Sequence, residues 1–352
     1  MKRINEYDIL KVLTIILVVL SHTTYYKISS NYGGIDYQRF LVYENSIFLY
    51  KVFDKIRVVL YYFHMPLFMA LSGALFYTQV QKNKWVSLAD LMKNKFKRLM
   101  IPFFLFTIFY TLPIKYFSSY FKETGIIKAV IGQLFLLGNS HLWYLYALFI
   151  IFFISFYVLK KNVNIYIFCI IYMIHLMSYL FNFIVISAPL EFLFWFIVGS
   201  LFELNRKIYN KYLDEIKYLF PLLLLLFLIF LWFNNFVGSE LKLLKRIMLD
   251  ILAVLGSSTC YSIAYLLSKK TNILNSGGGK LILVNGLGIY IFSDSLNYLI
   301  LKIIFESTGD FMFLPIGIVI MVILRFIVTL FLGLYLTIMF KKFFKKYSWL
   351  VN

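Results

Sequence analysis

Ten separate apolar runs dominate this chain, each close to the ~20 residues an α-helix needs to cross a hydrocarbon layer of ~30 Å. They are Ile9–Tyr26, Val58–Thr78, Leu99–Phe117, Leu142–Leu159, Ile165–Ile186, Leu190–Leu204, Tyr218–Phe236, Ile247–Leu267, Leu281–Ile303 and Leu314–Phe340. Only helices and closed barrels satisfy their backbone in lipid, and continuous runs of this length select helices. The chain therefore reads as an all-α integral membrane protein, a bundle of about ten transmembrane helices in one domain spanning residues 1–352. At 62% hydrophobic and 14% charged residues, with a mean hydropathy of +0.82, no soluble class fits.

The 35 Lys and Arg exceed the 16 Asp and Glu, giving a formal charge of +19. In so apolar a chain these cations flank spans rather than form a nucleic-acid face. Most fall on alternate connections: Lys2, Arg3 and Lys11; the loop 81–98; Lys160-Lys161; the loop 205–217; Lys269-Lys270 with Lys280; and the tail from Lys341 to Lys346. The positive-inside rule then puts both termini in the cytoplasm. The stretch Lys122–Leu137 is too short to span and reads as interfacial, and Ser276-Gly277-Gly278-Gly279 reads as an inner loop. Two cysteines, Cys169 and Cys260, sit in apolar runs, and no metal-ligand spacing occurs.

An ionisable group inside a span is costly and is a functional candidate by default. At ~100° and 1.5 Å per residue, Asp8, Lys11 and His22 share one stripe of the first helix, with His22 ~16 Å beyond Lys11. His64 lies in the second helix within Phe63-His64-Met65-Pro66-Leu67-Phe68, followed by Leu71-Ser72-Gly73, where Pro and Gly predict a kink and a close helix contact. Lys95 and Arg98 close a basic loop before Leu99 and Pro102, a cationic mouth suited to phosphates. His141-Leu142-Trp143-Tyr144-Leu145 opens the fourth span, Glu191 begins the sixth, and Tyr290, Ser293 and Asp294 lie inside the ninth. His175 and Arg325 read as packing or pairing residues.

In their order and spacing these motifs resemble the integral membrane acyltransferases of acyltransferase family three, which O-acylate sugars of envelope polysaccharides and related surface molecules. The family opens with an Asp, a basic residue three later and a His fourteen after the Asp, as Asp8, Lys11 and His22 do. Its second helix is similar to residues 63–73, its basic loop to Lys95, Arg98, Leu99 and Pro102, and a later helix to Leu142-Trp143-Tyr144-Leu145. Members commonly carry Tyr-x-x-His late in the chain, whereas Tyr290 is followed here by Ser293 and Asp294.

The resemblance implies transfer of an acyl group, most simply acetyl, from cytosolic acetyl-CoA to a hydroxyl of a cell-surface or lipid-linked glycan, without a metal. Such a reaction needs a base for the hydroxyl proton, charge for the donor, and exclusion of water. His22 is the candidate general base, because imidazole titrates near neutral pH; His64 acts beside it or holds the acceptor. Asp8, Lys11, Lys95 and Arg98 are the candidates for the coenzyme A entrance. His141, Trp143, Glu191, Tyr290 and Asp294 are the candidates for binding the acceptor. The expected surroundings are membrane lipids, in the plasma membrane of a Gram-positive bacterium given the Ile-, Lys-, Asn- and Phe-rich composition. A transporter or flippase for a polysaccharide or lipid-linked sugar fits ten spans and buried polar residues as well.

Overall fold

A computed structural model describes residues 4–122, 124–138, 140–160, 163–216, 218–238, 240–270 and 277–352. The cationic candidates Lys2, Arg3, Lys161 and Lys217, and Ser276, lie outside the described residues. In chain order the helices are α1 (Asn5–His22), α2 (Glu44–Gln81), α3 (Leu88–Phe117), α4 (Ile126–Leu134), α5 (Trp143–Lys160), α6 (Ile165–Met177), α7 (Ile184–Glu215), α8 (Leu219–Asn234), α9 (Lys242–Lys270), α10 (Gly277–Thr308) and α11 (Pro315–Phe343). Each of the ten apolar runs falls largely on one of these. Seven, α2, α3, α5, α7, α9, α10 with its 3-10 extension to Phe313, and α11, are long and apolar enough to cross a membrane. The chain is thus a multi-pass, all-α membrane protein.

Several boundaries differ from the sequence reading, for local reasons. Helix α2 begins at Glu44 rather than near Val58, because Glu44, Lys51, Asp54, Lys55 and Arg57 extend the helix beyond its apolar part. Its 38 residues span ~57 Å at 1.5 Å each, well beyond the hydrocarbon layer. Gly277 to Gly279, expected as loop, form the first turn of α10, drawn into helix by the apolar run behind them. Between α1 and α2 lies a two-stranded hairpin, β1 (Lys27–Ser30) antiparallel to β2 (Gly33–Asp36). Its turn places Gly33 at φ +127°, where a side chain would be strained and would collide with Tyr120.

The described chain forms two compact units. The first comprises Met1–Thr14, Tyr61–Phe96 and Ala147–Leu283; the second comprises Ile15–Leu60, Lys97–Tyr146 and Val284–Asn352.

In the first unit α2 and α7 cross with backbones in contact. A Cβ at Gly73 would lie 1.9 Å from the Phe196 carbonyl oxygen, and one at Gly199 would lie 1.8 Å from that of Ala70. Ser200 Oγ donates to the Gly73 carbonyl at 3.0 Å. This is the close helix contact expected at Gly73, made possible by a second glycine opposite it. Phe152 packs edge-on against Phe76 and Phe196 beside the crossing.

In the second unit the hairpin is pinned by Gly34 N–H to the Tyr120 carbonyl at 2.8 Å and by the Lys27–Asp36 ion pair at 2.8 Å. Tyr26, Ile28, Ile35, Tyr120, Tyr298 and Phe313 form its apolar core. Helix α3 is interrupted by two π-helical turns, Phe96–Met100 and Thr107–Thr111, each followed at once by a proline-containing turn at Pro102 and Pro113.

Candidate active site

The site is built around one carboxylate on α10 in the second unit. Asp294 is 3% exposed, and its two oxygens are divided between two imidazoles. Oδ1 lies 3.0 Å from His22 Nδ1 at the C-terminal end of α1, and Oδ2 lies 3.2 Å from His141 Nδ1. Tyr298, one turn further along α10, donates its hydroxyl to Oδ1 at 3.3 Å. A charge buried this deeply needs partners close by, and here two imidazoles and a phenol surround it.

His141 is fixed from both sides. Its Nε2 lies 2.9 Å from the Ile291 carbonyl, and its own carbonyl accepts the Tyr290 hydroxyl. The Tyr290 ring also packs edge-on against His141 and Tyr144. Tyr110 on α3 donates to the Phe292 carbonyl at 2.9 Å. Residues 290 to 292, just before the carboxylate, are therefore anchored.

The two histidines differ in access. The His22 side chain is 16% exposed and that of His141 is 3%. With a proton on Nδ1 directed at Asp294, neutral His22 carries its lone pair on Nε2. An accessible imidazole with an orienting carboxylate behind it can accept a proton from a hydroxyl, and the carboxylate stabilises the imidazolium that results.

A buried cation, Lys115 on α3, stands close by. It is 0% exposed, donates to Gln133 Oε1 at 3.2 Å, and lies 4.7 Å and 5.3 Å from the ring centres of Tyr120 and Tyr298. Sequence reading passed over it, although a lysine inside a span is the kind of signal that singles out a residue.

The remaining candidates take varied places. Trp143 is half-buried at the start of α5, against Tyr144. Arg98 is exposed in the first π turn. In the first unit, Asp8 and Lys11 are half-buried on α1. Lys95 lies 3.5 Å from the centre of the Phe152 ring. His64 is 1% exposed and packs edge-on against Tyr61. Glu191, a candidate for binding the acceptor, pairs with Arg246 at 2.9 Å, and its carbonyl takes His175 Nδ1 at 2.7 Å. Asp294, also expected on the acceptor, faces the imidazoles of His22 and His141.

A cavity of about 680 Å³ in the first unit is lined by Glu6, Tyr77, Gln81, Lys82, Glu203 and Arg206, among others. Arg206 is bound to both Glu6 and Glu203, so its charge is already neutralised. Among the described residues no group of three or more His, Cys, Asp or Glu is placed to hold a metal ion.

Residues 4–345 match the family model described as an acyltransferase domain, that of acyltransferase family three. The chain belongs to this family. The match takes in the helix bearing His22 and Asp8, the loop bearing His141, and the α10 segment bearing Asp294. No curated protein and no solved structure matches the chain. As a member of acyltransferase family three, this membrane protein is an acyltransferase, and an accessible imidazole backed by a buried carboxylate is chemistry such an enzyme can use.

Proposed function

We propose that the chain is an O-acyltransferase that moves an acyl group, most simply acetyl, from cytosolic acyl-CoA to a hydroxyl of a cell-surface or lipid-linked glycan, with His22 as general base. One observation carries this reading: the accessible His22 ring stands 3.0 Å from the buried Asp294 carboxylate, which is itself held by His141 and Tyr298. His22 Nε2 takes the hydroxyl proton as the sugar oxygen attacks the thioester carbonyl. The tetrahedral oxyanion then collapses, the carbon–sulfur bond breaks, and the thiolate of coenzyme A recovers the proton from the imidazolium. Asp294 holds the ring in the productive tautomer and balances its charge while it is protonated. His141 and Tyr298 position Asp294.

Asp8, Lys11, Lys95 and Arg98 are assigned to the entrance for the polyanionic donor, and Tyr290 and Trp143 to the acceptor side. Ten crossings of the plasma membrane with both termini cytoplasmic, organised as one acyltransferase domain, complete the reading. The composition favours a Gram-positive source.

The test is transfer of labelled acetyl from acetyl-CoA into the envelope glycans of cells expressing the protein, with purified protein in nanodiscs as the control for folding. His22→Ala that melts like the wild type is expected to abolish incorporation. Full incorporation by that variant would overturn the assignment.

A further inference from the structure

Arg325 has no role in the chemistry above, yet it is the least easily explained residue of the second unit. It sits on α11 at 1% exposure, and a guanidinium carries its charge at neutral pH. A buried cation ordinarily faces a carboxylate. Here Nη1 donates to the Tyr25 carbonyl at 2.8 Å and Nε to Asn297 Oδ1 at 3.3 Å, with the phenols of Tyr26, Tyr298, Tyr50 and Tyr37 nearby. None of these is an anion. Thr329 completes the group through its hydroxyl on Asn297 Oδ1 at 3.4 Å.

Two donors remain over. Arg325 Nη2 and Asn297 Nδ2 are both buried with no partner among the described residues. Buried polar groups of native proteins are nearly always satisfied, and an exception calls for a ligand, an ion or a water. Two donors beside an uncompensated positive charge select an oxyanion, for which guanidinium and amide N–H groups are the usual receptors.

The location ties this receptor to the reacting centre. Asn297 lies one helical turn, ~5 Å, beyond Asp294 on α10, and Tyr25 follows His22 by three residues. The rings of His22 and Tyr25 are 5.9 Å apart. Arg325 and Asn297 are thus tied, through the Tyr25 carbonyl and one turn of α10, to the residues that carry His22 and Asp294.

We propose that Arg325 and Asn297 form an oxyanion subsite for the acceptor, so that the natural acceptor is an acidic glycan. This rests on reading His22 as the base that acts on a glycan. The shared chemistry is a carboxylate, as on a uronic acid, or a phosphate ester.

The test compares three probes on purified protein in nanodiscs by calorimetry: methyl β-glucoside, its 6-carboxylate (methyl β-glucuronoside) and its 6-phosphate. Wild type is expected to bind at least one acidic glycoside about tenfold or more tighter than the neutral one, and which acid wins names the source. Arg325→Gln should reduce that preference to within about twofold. Asn297→Asp guards against misfolding, since it supplies an internal carboxylate to Arg325. It should keep or raise the melting temperature while losing the preference for acids.

Equal binding of acidic and neutral probes by wild type, binding of neither acid, or a preference that survives in Asn297→Asp would each overturn the proposal. His22→Ala separates the two readings. It should keep the acid preference while losing transfer, so retained transfer with the acid preference intact removes the base assignment and leaves the anion subsite standing.

Discussion

His175–Asp250 in the first unit and His22–Asp294 in the second bring an imidazole and a carboxylate to nearly the same distance in opposite surroundings. In the first unit His175 Nε2 lies 2.9 Å from Asp250, and its Nδ1 lies 2.7 Å from the Glu191 carbonyl. The ring is 0% exposed and is packed by Tyr172, Phe194 and Trp195. Both nitrogens are committed within the protein, and nothing from outside can reach them. In the second unit His22 lies 3.0 Å from Asp294 and keeps 16% of its side chain exposed. An imidazole beside a carboxylate is thus not in itself a catalytic sign. Access to the ring and the use made of its second nitrogen distinguish a base from a structural clasp.

The largest expected contrast is between His22→Ala and His175→Ala. Removing a general base costs about 10²- to 10⁴-fold in rate, so His22→Ala should lose transfer, with the smaller fall in melting temperature because His141 and Tyr298 still face Asp294. His175→Ala should do the reverse, since it strips a partner from buried Asp250, a loss of about 3–5 kcal/mol of stability. Transfer assays and thermal melts on both variants check this. Loss of transfer in folded His175→Ala would break the comparison.

Next in size is the pair of carboxamide variants. Asp294→Asn should lower the rate about a hundredfold or more, because the amide can present its NH2 to the ring and favour the wrong tautomer. Asp250→Asn should leave the rate within about twofold and lower the melting temperature. Steady-state kinetics with the acceptor varied would show the Asp294 effect in kcat rather than KM.

A smaller effect is expected at the helix crossing of the first unit. Gly73→Ala drives a methyl into the Phe196 carbonyl, and overpacking of this kind costs about 1–3 kcal/mol. Thermal melting should register the loss with transfer by the folded fraction unchanged.

The smallest effect sets the bottom of the scale, a pair in water. Burial works to raise the Asp36 carboxyl, but the hydrogen bond from Lys27, the Arg39 N–H and both cations outweigh it and hold the group below its ordinary value. A depressed carboxylate stabilises the fold above its unfolded pKa of ~3.9, and the contribution disappears as the pH falls through the folded value. With 49% and 37% of the two side chains exposed, the pair is worth about 0.2–1 kcal/mol. The melting temperature of wild type relative to Asp36→Asn should therefore be steady from pH 7 to 5 and converge below pH 4.

The membrane class, the helical character of the apolar runs and the family were legible in the sequence, because lipid imposes length and composition on every span. His22 and Asp294 were visible singly, as costly groups in apolar runs. Their meeting was not, since it joins the end of α1 to the middle of α10 and depends on packing that no local pattern encodes. Lys115 escaped because a lysine near the end of a span reads as an interfacial anchor. The hairpin from Lys27 to Asp36 has too little apolar alternation to announce strands, and Gly199 gains meaning only opposite Gly73.

The two π turns of α3 have a further consequence. Each accommodates one residue more than an α-helical path would, and every residue beyond the insertion is rotated by ~100°. The second turn, Thr107–Thr111, comes just before Lys115. Deleting any one residue of that turn would restore ordinary pitch and swing Lys115 away from Gln133, Tyr120 and Tyr298, even if every side chain in the site were retained. In this stretch of α3, reading-frame-preserving deletions should therefore be more damaging than substitutions, and the length of the segment carries as much information as its letters.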